Sequence, residues 1–248
     1  LNIIFNDVDI TDRLSLDSCI HEMHADGEAD TLKIKFNRVP ATSLWLPKTG
    51  DKISVSDGNA RTGAMYVQES VFENGLLVLT ASSVCDEMYE ARFKSWENVW
   101  MHQLIDEIAK KYGYSVKKYE IPDKLHDYVA QNNQSDVYFI YDLCKAEGHR
   151  LIVYDNQFII YDKEYLLNRP VSASIFINND AKYEYLIQNG ILYGSARCVF
   201  LPDLAAGSVT NIKTAGLRPL DGDAFIYKLR HDYIKRQTKI FFTKRVSV

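Results

Sequence analysis

The chain predicts an α+β fold, mainly β, on three observations: short candidate strands punctuated by hairpin dipeptides, strict two-residue alternation inside them, and one central segment where a helical period appears. In residues 1–84 the candidate strands are Leu1–Phe5, Cys19–His24, Thr31–Phe36, Lys52–Ser56, Ala64–Glu73 and Leu76–Ser82. Asp26-Gly27, Asp57-Gly58 and Asn74-Gly75 supply turns between them. Strands this short and this dense predict a sandwich or barrel, not a parallel sheet. Thr31 to Phe36 alternates without exception, so Leu32, Ile34 and Phe36 are expected in a core, with Lys33 and Lys35 facing water or a partner.

The middle is mixed. Ser95 is placed to open a helix through about Tyr112, with Val99, Trp100, Leu104, Ile105, Ile108 and Tyr112 on its apolar face and Gly113 closing it. Ile121-Pro122 bars any continuation. Ser135 caps a second helix, Asp136 meets the positive end of its dipole, and Val137, Ile140, Tyr141 and Cys144 form its apolar stripe before Gly148 ends it. Arg150–Val153 and Gln157–Tyr161 then read as a hairpin around Asp155-Asn156. After residue 164 strands return, at Ala173–Ile177, Tyr183–Gln188, Ala196–Phe200, Ser208–Ile212, Ala224–Asp232 and Thr238–Val246, with turns at Asn189-Gly190 and Asp221-Gly222. The predicted domains are therefore residues 1–85, a first barrel, 86–163, an insert, and 164–248, a second barrel.

Hydrophobic residues at 46% and charged residues at 25% describe an ordinary globular chain, not a disordered or fibrous one. A net charge of −4 argues against a general nucleic-acid surface, although Arg230 to Arg245 is locally rich in Lys and Arg. No run of 18 apolar residues and no signal-like N-terminus occurs, so no membrane anchor is expected. Cys19, Cys85, Cys144 and Cys198 lie far apart without CxxC spacing, which predicts reduced, buried thiols.

Chemistry is hard to place on this sequence. Cys19 and His21 share a strand face, but no orienting carboxylate or amide can be assigned to them, and Cys144 sits on a predicted core stripe beside His149. His21, Glu22 and His24 divide between two faces of what is expected to be a solvent-exposed edge strand, which leaves a metal without a ligand set. Asp26, Glu28 and Asp30 lack the glycine and distal glutamate of a calcium loop. No phosphate-binding glycine motif is present. No catalytic, cofactor or metal residue is therefore predicted. The sixteen tyrosines are assigned to core and protein contacts rather than to base stacking.

The run Gln131, Ser135, Asp136, Phe139, Leu143, Glu147 and Gly148, followed by a hairpin, resembles the baseplate hub family of contractile phage tails, which includes late control protein D and is related to hubs of tail-like bacteriocins and type VI secretion spikes. Asp9-Ile10-Thr11-Asp12, Glu28 to Leu32, Leu46 to Asp51 and the Lys94-Ser95-Trp96 segment add to it. The resemblance covers residues 1–163 by motif and 164–248 by character. It implies two tube-type antiparallel β-barrels joined by the insert, and a homotrimer whose six barrels form a pseudo-sixfold ring. Such a ring adapts a tail tube to a trimeric spike, with tube, spike and other baseplate proteins as partners and DNA as transit cargo. It implies assembly in a bacterial host cytoplasm into a virion tail or tail-like particle. Because the sequence stops after a final strand, the spike is expected to be a separate polypeptide. The functional residues would then be surfaces: Asp26, Glu28, Asp30, Lys33, Lys35, Lys48, Lys235, Arg236, Lys239 and Lys244. The alternatives are a peptidoglycan-acting tail enzyme, tested at Cys19, and a carbohydrate- or DNA-binding β module.

Overall fold

Strands β1 (Asn2–Phe5), β2 (Val8–Asp9), β3 (Ser15–His24), β4 (Thr31–Asn37), β5 (Lys52–Asp57), β6 (Ala60–Arg61), β7 (Met65–Glu73) and β8 (Leu76–Ser82) open the chain in a computed structural model that describes residues 1–37, 46–162, 165, 168–177, 182–215 and 220–245. The insert follows as β9 (Ala91–Trp100), α1 (Met101–Lys111), β10 (Ser115–Tyr119), β11 (Leu125–Ser135), α2 (Asp136–Ala146), β12 (His149–Tyr154) and β13 (Gln157–Asp162). The last zone holds β14 (Val171–Ile177), β15 (Tyr183–Gln188), β16 (Ile191–Val199), β17 (Val209–Thr214), β18 (Gly222–Asp232) and β19 (Gln237–Arg245). The fold is α+β and mainly β, as expected. The part of the last predicted strand beyond Arg245 and the predicted boundary at 163/164 fall outside the described residues.

The first and last zones share one 14-stranded sheet. Its central run is β15-β16-β19-β18-β3-β4-β8-β7, in which β3 pairs with β4 on one side and with β18 on the other, both antiparallel. The expectation of an exposed edge strand at His21–His24 is therefore corrected: β3 lies in the interior of the sheet, and His21 and Cys19 are fully buried. Alternation holds on β4, where Leu32, Ile34 and Phe36 are inaccessible and Lys33 is exposed. Type I′-like turns sit where sequence placed them, with both residues left-handed at Asn74-Gly75, Asp155-Asn156 and Asn189-Gly190.

Two apolar clusters lie under this sheet. One gathers Ile3, Ile34, Phe36, Val55, Met65, Leu77 and Tyr233, and the other gathers Ile175, Leu192, Ile212, Ile226, Ile240 and Phe242. Met23 of β3 belongs to the second, and Tyr233 of the last zone to the first, so the clusters interlock across the β3–β18 seam.

The insert has its own core of Trp96, Leu104, Ile105, Phe139, Ile140, Val153 and Phe158. One expected element here is corrected. Ser95 does not cap a helix; it pairs with Ala130 in the antiparallel ribbon β9–β11, and the helix starts at Met101. That start is capped from outside, by Asp123 Oδ1 accepting the His102 N–H at 3.2 Å and Lys124 O accepting the Met101 N–H at 2.9 Å. At its end Gly113 takes φ +75°, and the Tyr114 and Gly113 N–H groups bond to the Ala109 and Lys110 carbonyls, the Schellman pattern. β10 adds to the predicted hairpin as a parallel third strand beside β13.

A candidate assembly surface

The resemblance-bearing residues of the insert turn out to be internal hardware. Ser135 Oγ accepts the Tyr138 N–H at 3.5 Å, as a capping residue should. Asp136 is buried, and its carboxylate accepts from Gln131 Nε2 at 2.8 Å and from the Tyr112 hydroxyl at 2.6 Å, with Lys111 Nζ at 3.4 Å. Phe139 stacks on Trp96 at 5.3 Å, and Trp96 Nε1 donates to Glu107 at 3.0 Å, where Lys94 also pairs. Glu147 pairs with Lys124 at 2.8 Å, and Gly148 takes φ +81°. These residues shape the insert and leave its surface to others.

The insert docks on the first strands through its hairpin turn. Asp155 Oδ1 accepts the Ala64 N–H at 3.0 Å, and the Tyr66 hydroxyl donates to Asn156 Oδ1 at 2.7 Å. Gly63 is needed at this contact, because a Cβ there would lie 2.8 Å from the Asp155 Cβ. Tyr114 reaches across, donating its hydroxyl to Ser83 O at 2.9 Å, and Arg150 pairs with Asp26. A Cβ on Gly27 would overlap the Tyr141 ring, so the 25–30 loop lies flat against α2.

Where the first strands, the insert and the last strands meet there is a cavity of about 450 Å³ whose lining includes His24, Asp30 and His231. Asp30 is 2% exposed; its carboxylate accepts the His24 N–H at 2.9 Å and its own N–H bonds to Ser83 Oγ at 2.9 Å. Burial holds its carboxyl well above the ordinary range. Burial also pushes His21 down to about 3 and His231 down to about 4. His231 Nε2 faces Leu204 O at 3.3 Å and Nδ1 faces the Thr238 hydroxyl at 2.9 Å, which accepts the Leu201 N–H; this fixes a neutral ring with its proton on Nε2. The expectation of Asp30 as a surface residue is therefore corrected: it ties a loop to the seam.

The remaining expected surface residues separate into groups. Lys33, Lys35 and Lys239 stand on one outward face of the sheet, and Lys235 lies at its rim. Arg236 is engaged with Asp57 and lies 4.2 Å from the Phe200 ring, while Lys244 donates to Asp221 O. Lys48 belongs to a turn closed by Asp51, Asp26 pairs with Arg150, and Glu28 pairs with His24 at 2.8 Å.

Register identifies what sequence reasoning left out. Arg197, Lys239, Arg230 and Glu22 are successive cross-strand partners from β16 to β3, and Val199, Gln237, Asp232, Ile20 and Lys33 form the next row. Cross-strand partners share a face, so these residues point out together. A shallow groove of about 130 Å³ lies among Arg197, Arg230, Lys235 and Lys239, with Asp232 at one side. Outward parity on β16 and β18 was the available signal, but it needs the strand pairing to be read as one surface.

The thiols are unsuited to nucleophilic work. Burial pushes Cys19, Cys144 and Cys198 up to about 12 and Cys85 up to about 11. Among the described residues no group of three His, Cys, Asp or Glu side chains is placed to hold a metal ion, and no helix is long and apolar enough to cross a membrane.

The central run is open at its β15 end and partly covered at its β7 end, where the sheet continues into β5. β15 pairs only with β16 among the described residues, and Tyr185, Leu186 and Ile187 are 45%, 61% and 48% exposed along it. At the other end β7 pairs with β5 at Met65 and Tyr66, Val67 bonds to Gly50 and Asp51, and Gln68 O and Ser70 Oγ meet Thr49 and Pro47, so that among the described residues no further strand pairs with the far side of Glu69–Glu73.

Solved structures of tail proteins share this fold. A 43 kDa tail protein of prophage MuSo2 from Shewanella oneidensis has a TM-score of 0.78 at 8% identity, over 98% of this chain and 98% of that one. The tail protein from Neisseria meningitidis MC58 gives 0.75 at 9% identity, over 98% and 95%. The E. coli c3393 protein, a type VI secretion component described as structurally similar to the T4 tail proteins gp27 and gp5, gives 0.67 at 11% identity, over 99% and 77%. No family model and no curated protein matches the sequence. At these identities the likeness is one of fold alone.

Proposed function

We propose that the chain is a baseplate hub: three copies close head to tail into a ring that joins a tail tube to a trimeric spike, in a phage tail, a tail-like bacteriocin or a secretion device. Its barrels span 1–85 and 164–248 and its insert 86–163. The observation that carries the reading is the open edge of the sheet at β15, together with the stretch Glu69–Glu73 of β7 that no further strand pairs among the described residues. An edge strand presents unpaired backbone groups that another strand can satisfy. β15 of one copy against the free stretch of β7 in the next is a heterologous contact, and such contacts form a closed ring when the rotation permits. Likeness in fold to tail proteins along nearly the whole chain supports the same role. The role is structural, and the buried, high-pKa thiols give the peptidoglycan-enzyme alternative no nucleophile at Cys19.

Native mass spectrometry over a concentration series, alone and with the spike protein encoded beside it, tests this. A trimer in either condition is the expected result. A monomer at every concentration that ignores the spike overturns the ring.

A further inference from the structure

We infer that the outward face of strands β16, β19, β18, β3 and β4 is a contact surface for the phosphate backbone of nucleic acid. The proposal does not need the ring, because Arg197, Arg230 and Lys33 on this face are exposed in the single chain among the described residues.

Arg197, Lys239, Arg230, Lys228, Lys33 and Lys35 all stand on this face, placed there by the register of five consecutive strands. Against them on these strands are Glu22, Asp232 and Asp17 in the β3 bulge, with Glu184 and Glu69 on the flanking strands. Glu22 is held by Lys228 at 2.8 Å and Arg230 at 3.6 Å, and Asp232 by Lys235 at 3.9 Å. Among the described residues Arg197, Lys33, Lys35 and Lys239 make no ion pair, so the face keeps an excess of uncompensated cations. This charge is concentrated, not shared by the molecule: residues 86–162 hold fourteen Asp and Glu against nine Lys and Arg, and the chain is −4 overall. At physiological salt a field of this kind is felt within about 8 Å, so the local excess governs what the face attracts.

Geometry favours a polymer of closely spaced charge. Neighbouring strands lie about 4.8 Å apart, so Arg197, Lys239 and Arg230 form a row of cations at that interval. A nucleic acid strand carries a phosphate about every 3.4 Å of axis, whereas acidic side chains on one face of a protein strand recur only about every 7 Å. The surface is also hydrophobic between its charges. Phe241 lies 4.8 Å beneath Lys239 Nζ and 5.7 Å from Lys228 Nζ, and Val199 is 75% exposed. Cations interleaved with an accessible ring suit a backbone-and-base surface without sequence preference. The shallow groove among Arg197, Arg230, Lys235 and Lys239 gives the backbone a track.

The test is fluorescence anisotropy of a labelled duplex of about 30 base pairs and of one of its strands, titrated with the full chain across a salt series. With about four phosphate contacts, affinity is expected to fall about 100-fold from 50 to 200 mM salt. The pair Arg197→Ala and Lys239→Ala is expected to lower the slope of log affinity against log salt by about two. Arg197→Lys with Lys239→Arg is expected to keep it, and Lys117→Ala with Lys118→Ala on the insert is expected to change nothing. Matching thermal melts establish that the variants are folded. Polyglutamate is the competing probe. Failure to bind duplex and strand at low salt, binding untouched by the Arg197/Lys239 pair, or equal affinity for polyglutamate would each overturn the proposal; the last would instead mark a surface for an acidic protein.

Discussion

In the insert the residues that form a recognisable pattern point inward, whereas in the sheet the residues proposed to meet a partner point out. Gln131, Ser135, Asp136, Phe139 and Gly148 are spent on a cap, a buried polar network, a ring stack and a left-handed turn. Among the described residues Arg197 and Lys239 make no ion pair, and they stand beside Arg230 because β16, β19 and β18 pair in one register. The difference teaches that a motif can report a fold while saying little about what the fold touches. Substitutions should then separate stability from assembly according to region.

The largest loss of stability is expected at Asp136. Asp136→Ala strips the Tyr112 hydroxyl and Gln131 amide of their shared acceptor inside the insert, and is expected to cost about 3 kcal/mol. Thermal denaturation would show it as a clearly lowered midpoint. A variant melting with the wild type would mean that the network is solvated and that the inward reading of this motif is wrong.

Next comes Gly194, whose φ is ordinary but whose place is crowded. A Cβ there would overlap the Phe242 ring. Gly194→Ala is expected to cost about 2 kcal/mol through overpacking, and Phe242→Leu in the same chain should recover part of it. Additive losses in the double variant would break the assignment to this contact.

The seam between the halves should be sensitive to acid. His21 and His231 have folded values below the ordinary imidazole value, so the unfolded chain binds more protons once pH falls below about 6.5. Their stabilising contribution is complete above that pH and is lost on the way down to about 4 for His231 and about 3 for His21. Each should reduce stability by about 1.4 kcal/mol per pH unit in its window. Asp30, 3.8 Å from His21 Nε2, works the other way, since its raised carboxyl favours the folded state at low pH. His24, also lowered by burial, adds to the imidazole effect. The diagnostic is consequently a difference: His231→Gln should flatten urea-derived stability against pH by one proton relative to wild type. Identical slopes would remove His231 from the linkage.

How far sequence led differs between the same regions. The strands β4, β8 and β15 and the turns at Asn74, Asp155 and Asn189 were legible because alternation and left-handed dipeptides are local. β9 was misread because Val99 and Trp100 continue the helical spacing of Leu104 and Ile108, and only pairing with β11 decides that they are extended. β10 and β11 were missed for the same reason, since their partners are distant in the chain. Asp30 looked like a loop carboxylate beside Asp26 and Glu28, but its N–H bonds to Ser83, 53 residues away. Lys33 and Lys35 were found by parity and Lys239 by the basic run of the last strand, whereas Arg197 and Arg230 needed the register.

The smallest effect on folding should accompany the largest effect on assembly. Leu186→Lys with Ile187→Lys places two charges on the open edge of β15, where both native side chains are about half exposed or more. Exposed substitutions of this kind usually change stability by no more than about 0.5 kcal/mol, so the melt should hardly move. Lysine on an edge opposes strand addition, because a neighbouring strand would have to cover the charge. The variant should therefore stay monomeric under conditions in which the wild type forms a trimer. If it trimerises as before, the ring does not close through β15, and the contact must be sought on another surface; if it unfolds, β15 contributes more to its own sheet than its exposure indicates.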